Sequence, residues 1–126
     1  MNTNAVNAIP NHPAIGRLDV GVVAVSTWGY NQTNVDFYLV TERKVRNDGS
    51  SWVKLQEICS TNTDTELFMQ YTAMPLRTVT GNFTPKATSP TWRKVHDGMF
   101  KEGFRPASYS WATPWNGQPV WGLICD

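Results

Sequence analysis

Residues 35–45, VDFYLVTERKV, lead through Asn47-Asp48-Gly49-Ser50 into residues 52–58, WVKLQEI. β-Branched and aromatic residues crowd the first segment, and Trp52, Val53, Leu55 and Ile58 give the second its apolar content. An Asp-Gly pair between two such runs is the turn chemistry of a β-hairpin. Upstream, Val20, Val22, Val23, Val25 and Trp28 predict a further strand within 19–28, joined to the hairpin through the turn-forming GYNQTN of residues 29–34. Three strands in close succession make a meander whose apolar face must be covered by more strands or a helix.

Outward from this meander the signals thin. Residues 1–16, MNTNAVNAIPNHPAIG, carry four asparagines and two prolines with little hydrophobic periodicity, which predicts an extended arm ahead of a single β-rich domain over 17–126. Residues 61–76, TNTDTELFMQYTAMPL, are open to two readings: a short helix starting near Thr63 or Asp64, or a strand on which Leu67, Met69 and Tyr71 alternate. Residues 81–90 read as a loop, and Trp92–Val95 as a short strand. Tyr109 and Trp111, the Asn116-Gly117 turn, and Val120, Trp121, Leu123 and Ile124 predict a terminal hairpin, with Pro114 and Pro119 at edges or bulges. The fold class expected is mainly β: a small SH3-like barrel or β-roll with a variable middle insert and at most one short helix.

The chain has 126 residues, 40% hydrophobic, with six tryptophans, enough for one core without staples. A formal charge of +1 gives no whole-molecule field for steering polyanions. Basic residues concentrate between Arg77 and Arg105, however, which leaves a local positive face open. Cys59 and Cys125 form no zinc or redox spacing and are expected to be reduced. The longest apolar run, Val20–Val25, is far below the ~20 residues of a membrane helix. With no signal-like start, a cytoplasmic protein without a membrane partner is expected.

Chemistry-bearing residues cluster around the first turn. Trp28 and Tyr30 flank a glycine and can present two aromatic faces, while Gln32, Thr33, Asn34 and Asp36 supply donors and acceptors suited to a planar heterocycle or a ribose. The same residues can instead shape a wide turn, with Asp36 capping backbone amides. His12 and His96 have no local nucleophile or metal-ligand spacing, and no phosphate loop or dinucleotide fingerprint occurs. No cofactor, metal or catalytic residue is therefore expected, although carboxylate pairs such as Asp97 with Glu102, or Asp36 with Glu42, suit acid–base work if the fold joins them.

The segment WGYNQTNVDFYLV, residues 28–40, resembles the signature of a family of small uncharacterised proteins encoded by bacteriophages and prophages. Trp28, Gly29, Tyr30, Gln32, Thr33, Asn34, Asp36, Phe37 and Tyr38 carry the resemblance. Trp115, Gly117 and Pro119 match that family's C-terminal pattern, in which Gln118 here replaces the usual basic residue. Thr27 and the insert between Cys59 and Pro90 also depart from it. The resemblance implies a phage origin, hence the host bacterial cytoplasm, and no established chemistry.

Together these observations lead to the expectation of a non-enzymatic binding protein acting by occupancy. It would sequester a nucleotide-like signal, or cap a host defence component, through Trp28, Tyr30, Gln32, Thr33, Asn34, Asp36, Tyr38, Trp115 and Asn116. The alternative is a nucleic-acid or protein-interaction module using Arg77, Arg93, Lys94, Lys101 and Arg105 with Trp92 and Phe104. A third reading is a small nucleotide phosphodiesterase with Asp36, His96 or Asp97 at its site. Trp111, Trp115 and Trp121, close together near the C-terminus, add the expectation of a homo-oligomer, most simply a dimer.

Overall fold

The computed structural model describes residues 16–29, 33–64, 70–98 and 100–123. In chain order its strands are β1 (Val23–Trp28), β2 (Asn34–Val45), β3 (Ser51–Ile58), β4 (Ser60–Asp64), β5 (Gln70–Pro75), β6 (Thr91–Lys94), β7 (His96–Asp97), β8 (Glu102–Gly103), β9 (Ala112–Pro114) and β10 (Val120–Leu123). They form a five-stranded sheet in the order β9-β1-β2-β3-β6, a three-stranded sheet β10-β5-β4 and a two-stranded ribbon β7-β8. All ladders are antiparallel. The mainly-β expectation holds, and β1-β2-β3 is the expected meander. The sheets stay open and do not close into an SH3-like barrel. No helix is long and apolar enough to cross a membrane among the described residues.

The β2–β3 turn follows its sequence. Asp48 Oδ1 accepts hydrogen bonds from the Ser50 amide at 2.9 Å and the Ser50 hydroxyl at 2.6 Å, and Gly49 adopts φ 87°, a region that L side chains rarely enter. β2, twelve residues long, does not hold one register throughout. Val40 opposes Leu55 but Glu42 opposes Lys54, so Thr41 is an extra residue whose hydroxyl donates to the Lys54 carbonyl. This bulge re-phases the strand. Beyond it Arg43 points to the face that carries Tyr38 and Val40, and Lys44 to the face that carries Phe37 and Leu39.

Both faces of the five-stranded sheet are covered, each by a different part of the chain. On one, Ala24, Val40, Val53 and Leu55 pack with Leu18, Val95, Phe104 and Ala112. On the other, Val23, Phe37 and Ile58 meet Tyr71 and Ala73 of the three-stranded sheet, with Trp115 and Val120 at the margin. Tyr71 rests on Gly122, where a Cβ would come within 2.5 Å of the Tyr71 hydroxyl. Leu18 is locked by its ends: its amide donates to Glu102 Oε1 at 2.8 Å and its carbonyl accepts from Arg43 Nη1 at 3.0 Å.

Strands occupy the stretch with two open readings: Ser60–Asp64 pairs with Gln70–Pro75, while residues 65–69 lie outside the described residues. Alternation decides it, with Tyr71, Ala73 and Pro75 buried and Met74 exposed. The predicted strand near Trp92 is β6. Of the expected arm, Gly16 is bridged to Lys101, and residues 1–15 lie outside the described residues.

The predicted terminal hairpin is corrected. Its two arms join different sheets, β9 pairing with β1 and β10 with β5. The Asn116-Gly117 turn forms, with Asn116 Oδ1 accepting from the Gln118 amide, but Pro114 and Pro119 flank it without amides to donate. Trp115 instead hydrogen-bonds its amide to the Val23 carbonyl and packs edge-on against Phe37, carrying the chain from one sheet to the other. Without the hairpin, the tryptophans grouped near the C-terminus separate. Trp111 lies beside Gly103 and 5.8 Å from the His96 ring, whereas Trp115 packs against the margin of the second core.

Candidate ligand-binding site

Tyr38 stands opposite Glu57 in the β2–β3 ladder, Val53 opposite Arg93 and Leu55 opposite Thr91 in the β3–β6 ladder. Side chains two apart on a strand share a face, so Tyr38, Leu55, Glu57, Thr91 and Arg93 all project from one side of the sheet. Two chain segments wall that surface. Residues 83–88 are held beside β3 by the Ile58–Pro85 bridge and by the Lys86 amide donating to the Glu57 carbonyl, which brings up Thr88 and Ser89. Opposite them, Phe104 and Pro106 follow β8. The result is a cavity of about 220 Å³ lined by Tyr38, Leu55, Glu57, Thr88, Ser89, Thr91, Arg93, Phe104 and Pro106.

The polar groups of this cavity are unevenly satisfied. Glu57 Oε2 accepts from Lys86 Nζ at 2.7 Å, a hydrogen bond that holds the Lys86 ammonium above its ordinary pKa. Arg93 donates only to the Trp92 and Pro106 carbonyls, at 3.2 and 3.3 Å, and makes no ion pair among the described residues. The Tyr38 ring packs edge-on against Phe104. Burial, and then the carboxylates of Asp36 and Glu57, push the Tyr38 phenol far above the ordinary tyrosine value, and the phenol O–H is a donor at neutral pH as in any tyrosine. The cavity therefore offers a guanidinium, a phenol donor and three Ser or Thr hydroxyls.

At the end of the same face, Trp28 Nε1 donates to Asp36 Oδ2 at 2.6 Å, and Tyr109 meets the Trp28 ring edge-on at 5.1 Å. The Asp36 carboxylate thus fixes an indole. Of the residues singled out around the first turn, Trp28, Asp36 and Tyr38 share this face, and Asn34 lies on it opposite Trp28. The Thr33 carbonyl accepts from the Tyr71 hydroxyl at 2.7 Å. Tyr30 and Gln32 lie outside the described residues. Trp115 and Asn116 belong to the opposite side: the Trp115 indole donates to the Gln118 carbonyl at 2.6 Å, within the turn that Asn116 organises.

The basic residues singled out do not share one surface. Arg93 enters the cavity, while Lys94, its neighbour on β6, points to the other face. Arg77 stacks on Phe83 and donates to the Gly81 carbonyl. Arg105 lies over Trp111, and Lys101 sits beside Gly16. Of the carboxylate pairs, Asp97 is opposite Glu102, but Glu102 is taken by Arg43. Asp36 and Glu42 are on opposite faces because of the Thr41 bulge. His96 packs near Trp111.

Sequence reasoning missed Leu55, Glu57, Thr88, Ser89, Thr91 and Pro106 as lining residues. The chain matches no protein-family model, no curated protein and no solved structure.

Proposed function

We propose that the chain is a non-catalytic binding protein that holds a small anionic, nucleotide-like molecule in the Tyr38–Arg93 cavity and acts by occupancy. The observation that carries this reading is the convergence on one concave space of the Tyr38 phenol and an Arg93 guanidinium that makes no ion pair among the described residues. A guanidinium with free N–H edges recognises phosphate or carboxylate oxygens. Thr88, Ser89 and Thr91 suit phosphate or sugar oxygens, and Glu57 accepts from an amine or ribose hydroxyl. At about 220 Å³ the space falls below the roughly 300 Å³ at which drug-sized pockets begin, so it suits a single base with its phosphate better than a dinucleotide.

The phage-protein resemblance of residues 28–40 gives this reading its biological sense: a phage product in the bacterial cytoplasm that sequesters a host defence signal. Calorimetric titration with a panel of nucleoside monophosphates tests the binding. One member of the panel binds the native chain with unit stoichiometry. Arg93→Met lowers its affinity at least tenfold, and Tyr38→Phe lowers it about fivefold, the equivalent of one ordinary hydrogen bond. A panel without binders, or binding indifferent to both substitutions, removes the proposal.

A further inference from the structure

The face of the five-stranded sheet opposite the Tyr38 cavity carries its own cluster of aromatic and charged side chains. Where β2, β3 and β6 run past the second core, the register sets two rows side by side: Lys44, Trp52 and Lys94, then Glu42, Lys54 and Trp92. None of these six belongs to either core, and all are exposed or half-buried. The Lys44 ammonium lies 4.3 Å from the centre of the Trp92 ring, and the Arg46 guanidinium 4.3 Å from that of Trp52. Trp52 is oriented by its indole N–H, which donates to the Ser50 hydroxyl at 2.9 Å.

The charges are unbalanced in one direction. Lys54 is paired with Glu42 at 3.2 Å, whereas Lys44, Arg46 and Lys94 have no carboxylate within ion-pair distance among the described residues. Asp48 faces Arg46 and Lys94 from the turn, with Oδ1 engaged by Ser50. Trp52 and Trp92 are diagonal neighbours across β3 and β6, a relationship of about 7–8 Å between backbone positions. Two indoles on one face, flanked by three cations that have no carboxylate partner among the described residues, set stacking groups and phosphate-binding groups side by side.

We propose that this face binds single-stranded nucleic acid, with Trp52 and Trp92 as stacking platforms and Lys44, Arg46 and Lys94 on the phosphates. The choice of a single strand follows from using both kinds of group at once. An acidic peptide satisfies the cations but offers the indoles no planar partner. A duplex presents phosphates and keeps its base faces enclosed. On binding, Lys44 and Arg46 leave the ring faces they cover and turn to the phosphates, and the bases take their place on the indoles.

The test is fluorescence anisotropy with a labelled short oligothymidylate, competed by unlabelled duplex and by polyglutamate. The single strand binds, and neither competitor displaces it at equal charge. With three phosphates neutralised, affinity falls roughly twentyfold between about 50 and 200 mM salt. Lys44→Glu combined with Lys94→Glu abolishes binding, and Trp92→Ala weakens it roughly fivefold or more. Circular dichroism checks that the variants fold, and the double charge reversal, on exposed residues, stands as the test if Trp92→Ala does not. Absence of binding, equal competition by duplex or polyglutamate, or full retention in the charge-reversed variant overturns the proposal. Because Tyr38 faces the other way and touches none of these residues, Tyr38→Phe leaves oligothymidylate binding unchanged, which separates this surface from the cavity.

Discussion

Arg43 and Glu102 meet at two points, Nη1 to Oε1 at 2.8 Å and Nη2 to Oε2 at 3.1 Å, with both side chains largely buried. The pair joins β2 to β8, and through the Leu18 amide and carbonyl it also fixes the chain entering the domain. It is one anchor of the segment that carries Phe104, beside the paired Phe104 and Ala112 backbone bonds and the burial of the Phe104 ring.

Glu102→Gln removes the charge and leaves Arg43 buried without its partner. Such a loss costs about 3 kcal/mol. Urea unfolding followed by tryptophan fluorescence measures it, and a change within about 0.5 kcal/mol of the native value contradicts this role for the pair.

The same pair sets an acid limit. Burial pushes the Glu102 carboxyl up, but the hydrogen bonds from Arg43 and the Leu18 amide outweigh it and hold the group below its ordinary value of 4.5. A carboxyl with a lowered folded pKa contributes stability that is complete above the unfolded value and lost as pH falls through the folded one. Stability therefore declines as pH drops below about 4.5, and Glu102→Gln flattens that decline. Equal acid slopes in the two proteins contradict the linkage.

Ser26, 1% exposed, buries a hydroxyl that has no hydrogen-bond partner among the described residues. Ser26→Ala removes the unsatisfied group at little cost in volume, and thermal unfolding is expected to show a gain of about 1 kcal/mol. A loss of similar size indicates a partner for that hydroxyl.

Trp121 is 57% exposed on β10, an edge strand of the three-stranded sheet. Edge strands with large apolar side chains pair with a second copy unless guarded. Light scattering at micromolar concentration is expected to give a dimer that Trp121→Ser converts to a monomer. A monomeric native chain contradicts this assembly.

The meander and its Asp-Gly turn were legible because periodicity and turn chemistry are local. The partners of Tyr38 were not. Counting outward from the turn, where Val45 opposes Ser51, an unbroken ladder puts Ile58 opposite Tyr38, and only the Thr41 bulge brings Glu57 there. Thr88 and Ser89 reach the cavity through backbone bonds to β3 some thirty positions away, a contact that no pattern in their own segment announces. Trp28 and Asp36 were singled out as binding groups, and the structure shows that each engages the other. The terminal segment misled because its turn is real while its strands pair elsewhere, a choice made by tertiary packing of Trp115 on Phe37.

The central claim, occupancy of the Tyr38–Arg93 cavity by an unaltered small anion, is tested most directly by what the protein carries. The native chain and Arg93→Met are purified in parallel from cells containing the ligand, denatured, and their released small molecules identified by mass spectrometry. The account predicts one chemically unmodified, phosphate-bearing heterocycle near one equivalent per native chain, strongly depleted in Arg93→Met. An empty native chain, a released molecule altered from its cellular form, or equal recovery from both proteins contradicts it.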